Sequence, residues 1–194
     1  MSPHLNQIYG ADNICYTDII EKDNKFMSNF EKLDITKSDR VQALINNFKP
    51  DTILNFSCIL SMKGEKDPKL CLDVNGNGFI NVMYECLRNN ILLFSPSSIA
   101  VFGPETPKIN TPNTTITRPT TFYGATKLYN EYLGTNFSQK AGLDFRSIRY
   151  PQVISPTYPE GGSGDYSVEI YHSILKNNSY TVLLMNNRQF QCFI

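Results

Sequence analysis

Tyr123-Gly124-Ala125-Thr126-Lys127 sets a phenol and an ammonium four residues apart. On a helix that spacing puts both side chains on one face, a turn from each other. A tyrosine ionises at roughly pH 10 and is a poor base at neutral pH. A cation beside it favours the phenolate, each pKa unit of lowering corresponding to about 1.4 kcal/mol. Such a phenolate can take the proton of an alcohol. Any solvated helix face can carry the same pair, so the chemistry needs a third group. Ser95-Pro96-Ser97-Ser98 follows the apolar run Ile91-Leu92-Leu93-Phe94 and leads into Ile99-Ala100-Val101-Phe102-Gly103. The Ser98 hydroxyl, at the carboxyl end of a strand, could hold the oxygen that Tyr123 deprotonates. Ser97 reads as a loop-capping hydroxyl.

The elements that must position these groups alternate along the chain. Ile14-Cys15-Tyr16-Thr17 is a short buried strand ending at Asp18. Ser38-Asp39-Arg40 opens a helix with Val41, Leu44, Ile45 and Phe48 at i, i+3, i+4 and i+7, and Pro50 closes it. A strand follows over 52–56, then a helix from about Pro68 to Asn90 and a strand over 91–95. Another helix runs from about Phe122 to near Gly142, followed by a strand from Phe145 to Tyr150. A last helix spans Tyr166 to Lys176, ahead of the apolar run Thr181 to Met185. Apolar strands alternating with amphipathic helices predict a doubly wound α/β domain with a parallel sheet. Its ligand belongs outside the carboxyl ends of the strands. The positions to read are therefore Asp18, Asp34, Ser57 to Ser61, Ser95 to Ser98, and Pro151 onward.

Composition narrows the function classes. The 194 residues carry 18 Lys+Arg against 18 Asp+Glu, so no basic excess points to nucleic acid. No apolar run reaches membrane-span length, and Met1 to Gly10 lacks both a secretory core and presequence arginines. The expectation is a soluble intracellular chain, with cytoplasm and mitochondrion both open. The five cysteines, Cys15, Cys58, Cys71, Cys86 and Cys192, form no C-x-x-C pair and read as reduced buried thiols. With two histidines, His4 and His172, no metal site is expected.

The Ser98, Tyr123, Lys127 set resembles the extended short-chain dehydrogenase/reductases of the NAD-dependent epimerase/dehydratase superfamily, and within them the short-chain L-threonine 3-dehydrogenases. The stretches that carry the likeness are Pro96 to Pro104, Tyr123 to Lys127, Asp144-Phe145-Arg146-Ser147-Ile148-Arg149-Tyr150-Pro151, and Asp165 to Ile170. The resemblance implies a Rossmann-like fold, NAD as cofactor, and oxidation of L-threonine at C3 to 2-amino-3-oxobutyrate without a metal. It makes Tyr123 the base, assisted by Lys127, which also holds the nicotinamide ribose, and by Ser98. It assigns Asp18 and Ile19 to the adenosine ribose, where a carboxylate favours NAD over NADP; a simple turn aspartate is the other reading. Asp34 and Ile35 would bracket the adenine, or form a helix-capping turn. Asn75 and Gly78 match an Asn-x-x-Gly on the helix before the serine strand, and Val153 would lie against the nicotinamide. Ser61 and Ser163 would contact substrate, though Ser61 could equally be a loop serine. The helices at 68–90 and 122–141 resemble those of a four-helix homodimer interface.

Gln152 stands where a glycine is usual in that pattern, and Ser163-Gly164 where two threonines are usual. Asp73 to Ile80 imitates the start of a calcium loop, but its twelfth position is Tyr84 rather than a bidentate Glu. The sequence contains no G-x-G-x-x-G, the turn that binds pyrophosphate. His4 to Tyr9 reads as the tail of a first helix, so the first strand and its glycine-rich loop are expected to be missing. The expected organisation is one incomplete NAD-binding domain, 1–194, with 156–194 beginning a substrate-binding lobe. A nucleotide-sugar epimerase or dehydratase, and a non-catalytic remnant or interaction protein that keeps the fold, are the alternatives.

Overall fold

A computed structural model describes residues 2–20, 29–157, 162 and 164–177. The helices in chain order are α1 (Ser2–Tyr9), α2 (Ser38–Phe48), α3 (Ser61–Lys66), α4 (Pro68–Cys71), α5 (Phe79–Asn89), α6 (Phe122–Ala141) and α7 (Tyr166–Asn177). The strands are β1 (Tyr16–Asp18), β2 (Phe30–Lys32), β3 (Thr52–Leu54), β4 (Leu92–Phe94), β5 (Ser97–Ser98), β6 (Phe145–Arg146) and β7 (Arg149–Tyr150). Among the described residues every strand pairing is parallel, as an α/β chain with crossover helices requires. The pairings fall into three ladders, β1-β2, β3-β4-β6 and β5-β7, where the sequence predicts one sheet of longer strands. The expected strand from Phe145 to Tyr150 is two short strands. The run Thr181 to Met185 and Cys192 lie outside the described residues.

The chain gathers into two compact units. The first comprises Met1–Ser57, Asp73–Ser95 and Leu133–Arg146. Its core is the apolar face of α2, with Val41 and Ile45 buried, packed with Phe79, Val82, Met83 and Cys86 of α5, and with Ile35, Ile91, Leu93 and Leu143. Burying each such large side chain stabilises by about 1.5–3 kcal/mol. Phe79 meets Phe145 edge to face, ring centroids 6.1 Å apart. Helix α2 stops because Lys49 adopts a left-handed conformation, φ 51°, ahead of Pro50. Asn90 ends α5 the same way, φ 56°.

The long helix expected from Pro68 is interrupted by a π-helical stretch, Leu72–Gly78, which holds both Gly76 and Gly78. Gly78 is there because Ile35 occupies the space: a Cβ would lie 2.7 Å from its side chain. The Asn81 amide donates to the Ile35 carbonyl at 2.9 Å and fixes the same contact. The segment that imitates a calcium loop is thus helical.

The second unit comprises Cys58–Leu72, Pro96–Tyr132 and Ser147–Ile194. Its buried residues include Cys71, Val101, Thr106, Thr126, Lys127 and Val168. Asp67 caps α4 by accepting the Leu70 N–H at 3.0 Å, with Pro68 at the first helical position. Helix α3 is absent from the sequence expectation because it has six residues and Leu60 at its cap position offers no side-chain acceptor. Thr106 Oγ1 organises the loop after β5, accepting from Gly103 N–H and donating to the Ile116 carbonyl at 2.7 Å. Among the described residues no helix is long and apolar enough to cross a membrane.

The two glycines of the π-helical stretch should respond oppositely to alanine. Gly78→Ala drives a methyl into Ile35 and should cost about 1–3 kcal/mol. Gly76→Ala meets nothing within 4 Å and should be neutral or stabilising by up to about 1 kcal/mol. Denaturant unfolding of both variants checks the contrast.

Candidate active site

The site is built on the first turn of α6. Three donors there are met: Thr121 Oγ1 accepts the Gly124 N–H at 3.0 Å, the Thr121 carbonyl accepts that of Ala125 at 2.9 Å, and the Glu65 carboxylate of α3 accepts that of Phe122 at 2.7 Å. This turn lies directly on the 3₁₀ turn Ile99–Val101, so closely that a Cβ at Gly124 would stand 2.2 Å from the Ala100 carbonyl oxygen. Tyr123 and Lys127 follow as the spacing predicts, with Lys127 Nζ 5.5 Å from the centre of the Tyr123 ring. The ammonium donates to the Pro96 carbonyl at 2.8 Å, and Lys127 as a whole is 4% exposed. Ser98 Oγ accepts the Ala100 N–H at 3.1 Å and makes a hydrogen bond with Tyr123. The structure therefore brings Ser98, Tyr123 and Lys127 together.

The electrostatics differ from expectation. Burial above all, with a contribution from the neighbouring Cys58 and Cys71 sulfurs and against the pull of the Ser98 hydrogen bond, leaves the Tyr123 phenol raised to about 12. Lys127 does not bring it low: its ammonium is directed at the Pro96 carbonyl, and burial lowers its own pKa. Cys71 sits beneath the helix start, hydrogen-bonded with Thr126 and 3.0 Å from where a Cβ on Gly64 would lie. Burial raises its pKa. Cys15, Cys58, Cys71 and Cys86 are all free thiols.

The remaining predicted residues are distributed as follows. Ser61 is the first residue of α3 and half-buried. Val153 is 63% exposed in the irregular stretch after β7, and Ser163 lies outside the described residues. In the first unit, Asp18 ends β1 and its Oδ1 accepts the Ile20 N–H at 3.2 Å, with Ile19 exposed beside it. Asp34 accepts the Thr36 hydroxyl at 2.7 Å and its N–H at 3.0 Å, and these bonds hold its carboxyl below the usual range. It thereby forms a turn ahead of α2. Ile35 is a core residue, and Asn75 is buried within the π-helical stretch.

Comparison with known proteins decides the family. The model of the NAD dependent epimerase/dehydratase family matches residues 5–190. The chain belongs to that family. An uncharacterized epimerase/dehydratase of Staphylococcus saprophyticus is 40% identical over 178 residues, covering 90% of this chain and 56% of that protein. An L-threonine dehydrogenase from Phytophthora infestans superposes with a TM-score of 0.88 at 43% identity, covering 92% of this chain and 58% of the other. The L-threonine dehydrogenase of Clostridium difficile gives 0.89 at 36% identity, covering 93% and 58%. The chain thus spans a little over half the length of the relatives it matches. Its fold is the Rossmann-like one of this NAD-dependent family, and NAD is the family's cofactor.

Within this epimerase/dehydratase site, sequence reasoning overlooks Glu65, Cys58 and Cys71, and it leaves Ser97 as a capping hydroxyl. Ser97 instead donates its hydroxyl to Glu131, which also binds Arg149.

The Tyr123 shift has a consequence for stability. The folded phenol keeps its proton to about 12, whereas an unfolded tyrosine ionises at roughly 10. The folded state therefore binds this proton more tightly, and the contribution is full below pH ~10 and lost as pH rises towards ~12. Relative to Tyr123→Phe, the protein should lose on the order of 1–2 kcal/mol across that interval. Denaturant titrations of both forms at stepped alkaline pH measure the difference.

Proposed function

We propose that the chain carries the alcohol-oxidising site of an NAD-dependent L-threonine 3-dehydrogenase. The observation that carries this reading is the meeting of Ser98, Tyr123 and Lys127 on one helix turn and one strand end. In the proposed reaction Tyr123, as phenolate, takes the proton of the C3 hydroxyl of L-threonine, and Ser98 holds that oxygen. NAD, when bound, supplies the hydride acceptor and a positive charge that favours the phenolate, and the product is 2-amino-3-oxobutyrate.

The donor set suits that cofactor. In the second unit Lys127, with one proton on Pro96, has two more N–H groups able to bind the nicotinamide ribose. Val153 there offers an exposed apolar side chain for the nicotinamide. In the first unit Asp18 with Ile19, at the carboxyl end of β1, offers an acceptor-only carboxylate for an adenosine diol. Asp34, Ile35 and Asn75 are proposed to shape the adenosine end. Ser61 and Ser163 are proposed substrate contacts, and residues from 156 the start of a substrate lobe. The likeness to L-threonine dehydrogenases at 43% and 36% identity supports the substrate. A homodimer is proposed on the exposed apolar side chains of the expected interface helices, among them Leu72, Tyr84, Tyr129 and Tyr132.

A second reading, a nucleotide-sugar epimerase or dehydratase, is favoured by the description of the staphylococcal relative. The two part on substrate. NAD with L-threonine should yield NADH, and UDP-glucose should not be epimerised; epimerisation with no NADH from threonine would overturn the dehydrogenase reading. A chain that does not bind NAD at all would instead be a non-catalytic one retaining the fold. Tyr123→Phe should lower NADH formation by about 100-fold or more, with NAD affinity unchanged by calorimetry. Retained turnover would remove Tyr123 from the base role.

A further inference from the structure

Ser97 and Glu131 belong to the same unit as the proton-transfer groups and have no part in the chemistry just described. Glu131 lies one turn beyond Lys127 on α6. Its carboxylate binds Arg149 of β7 with two bonds, Nε to Oε1 at 2.9 Å and Nη2 to Oε2 at 2.7 Å. The same Oε1 accepts the hydroxyl of Ser97 on β5. Ser97 is 5% exposed, and its N–H donates to the Ile148 carbonyl at 2.9 Å. Arg149 extends the connection, donating to the Asn113 carbonyl at 3.0 Å and lying 5.1 Å over the Phe102 ring. One carboxylate therefore ties the reactive helix to β5, to β7 and to the loop that follows.

The two residues before Ser98 are each held by the helix that carries Tyr123. Lys127 holds the Pro96 carbonyl, and Glu131 holds the Ser97 hydroxyl. An exposed ion pair contributes little and orients little. This one is partly buried, bidentate and shares an oxygen with a third donor, which gives it directional stiffness. We infer that Glu131 is a positioning residue: through Ser97 it fixes the strand end bearing Ser98, so that the Ser98 hydroxyl stays on the Tyr123 oxygen. The inference rests on the proposed function only in treating that pair as the proton-transfer groups.

The test reads the Ser98–Tyr123 hydrogen bond without needing turnover. The full chain is labelled with tyrosine carrying carbon-13 at Cζ, and the Tyr123 resonance is assigned by its loss in Tyr123→Phe. Ser98→Ala should shift that resonance. Glu131→Gln and Ser97→Ala should shift it in the same direction. Ser97→Ala keeps the Glu131–Arg149 pair, so its melting temperature should stay at the wild-type value while the resonance moves; a merely structural hydroxyl would not behave so. Where the wild type forms NADH from threonine, both variants should lose about 10- to 100-fold in kcat, the range that misplacement of a reacting group by ~1 Å allows, with KM for NAD unchanged. A Tyr123 resonance at its wild-type position in Ser97→Ala would overturn the inference, as would one that Ser98→Ala fails to move. Absence of NADH from the wild type counts against the dehydrogenase reading and leaves the resonance comparison decisive for this one.

Discussion

The first turn of α6 approaches the turn at Ile99–Val101 so closely that only a hydrogen fits on Gly124. The rest of the candidate site depends on that approach. Glycine inside a helix costs about 0.5–1 kcal/mol relative to alanine, and here the cost is offset by contact with the Ala100 carbonyl and the Pro119 side chain. Tyr123 immediately precedes the contact, and Thr126 and Lys127 are driven into the interior beyond it, 2% and 4% exposed. Glu65, reaching across from α3 to the Phe122 N–H, holds the helix start in the same position. A helix set a few ångströms further out would leave the phenol and the ammonium in water, where neither could be tuned by its surroundings.

Burial then decides the charge states of Tyr123 and Lys127. It disfavours the charged form of both groups, raising the phenol and lowering the amine. The pair is therefore not a preformed phenolate beside an ammonium. The chain's own residues give one directed aid to ionisation, the hydroxyl of Ser98, whose oxygen is anchored by the Ala100 N–H. A tyrosine held in this way keeps its proton at neutral pH. That makes the accuracy of the Ser98 contact more consequential than the simple nearness of Lys127.

How much of this could be read in the sequence follows from the range of each interaction. Helices α2, α6 and α7 were legible to within a residue or two because apolar spacing, Pro50 and Gly142 are local signals. Ser98, Tyr123 and Lys127 were legible because a strand end and an i, i+4 spacing are local as well. The strands came out shorter than their apolar runs, since apolarity reports burial and not ladder pairing. Partners far apart in the chain left no pattern: Phe122 with Glu65 is 57 residues distant, Ser97 with Glu131 is 34, and Arg149 with Glu131 is 18. The direction of the Tyr123 shift was likewise hidden, because spacing shows which charge is near and not how deeply both groups are buried.

The departures from the threonine dehydrogenase pattern are also coupled in space. Gln152 stands where a glycine is usual, and its Nε2 donates to the Ser167 hydroxyl at 2.6 Å. A Cβ on residue 164 would lie 2.7 Å from the Gln152 carboxamide, so the glycine at 164 leaves the room that Gln152 fills. The Ser167 hydroxyl, which also donates to the Gly164 carbonyl at 3.3 Å, joins the two.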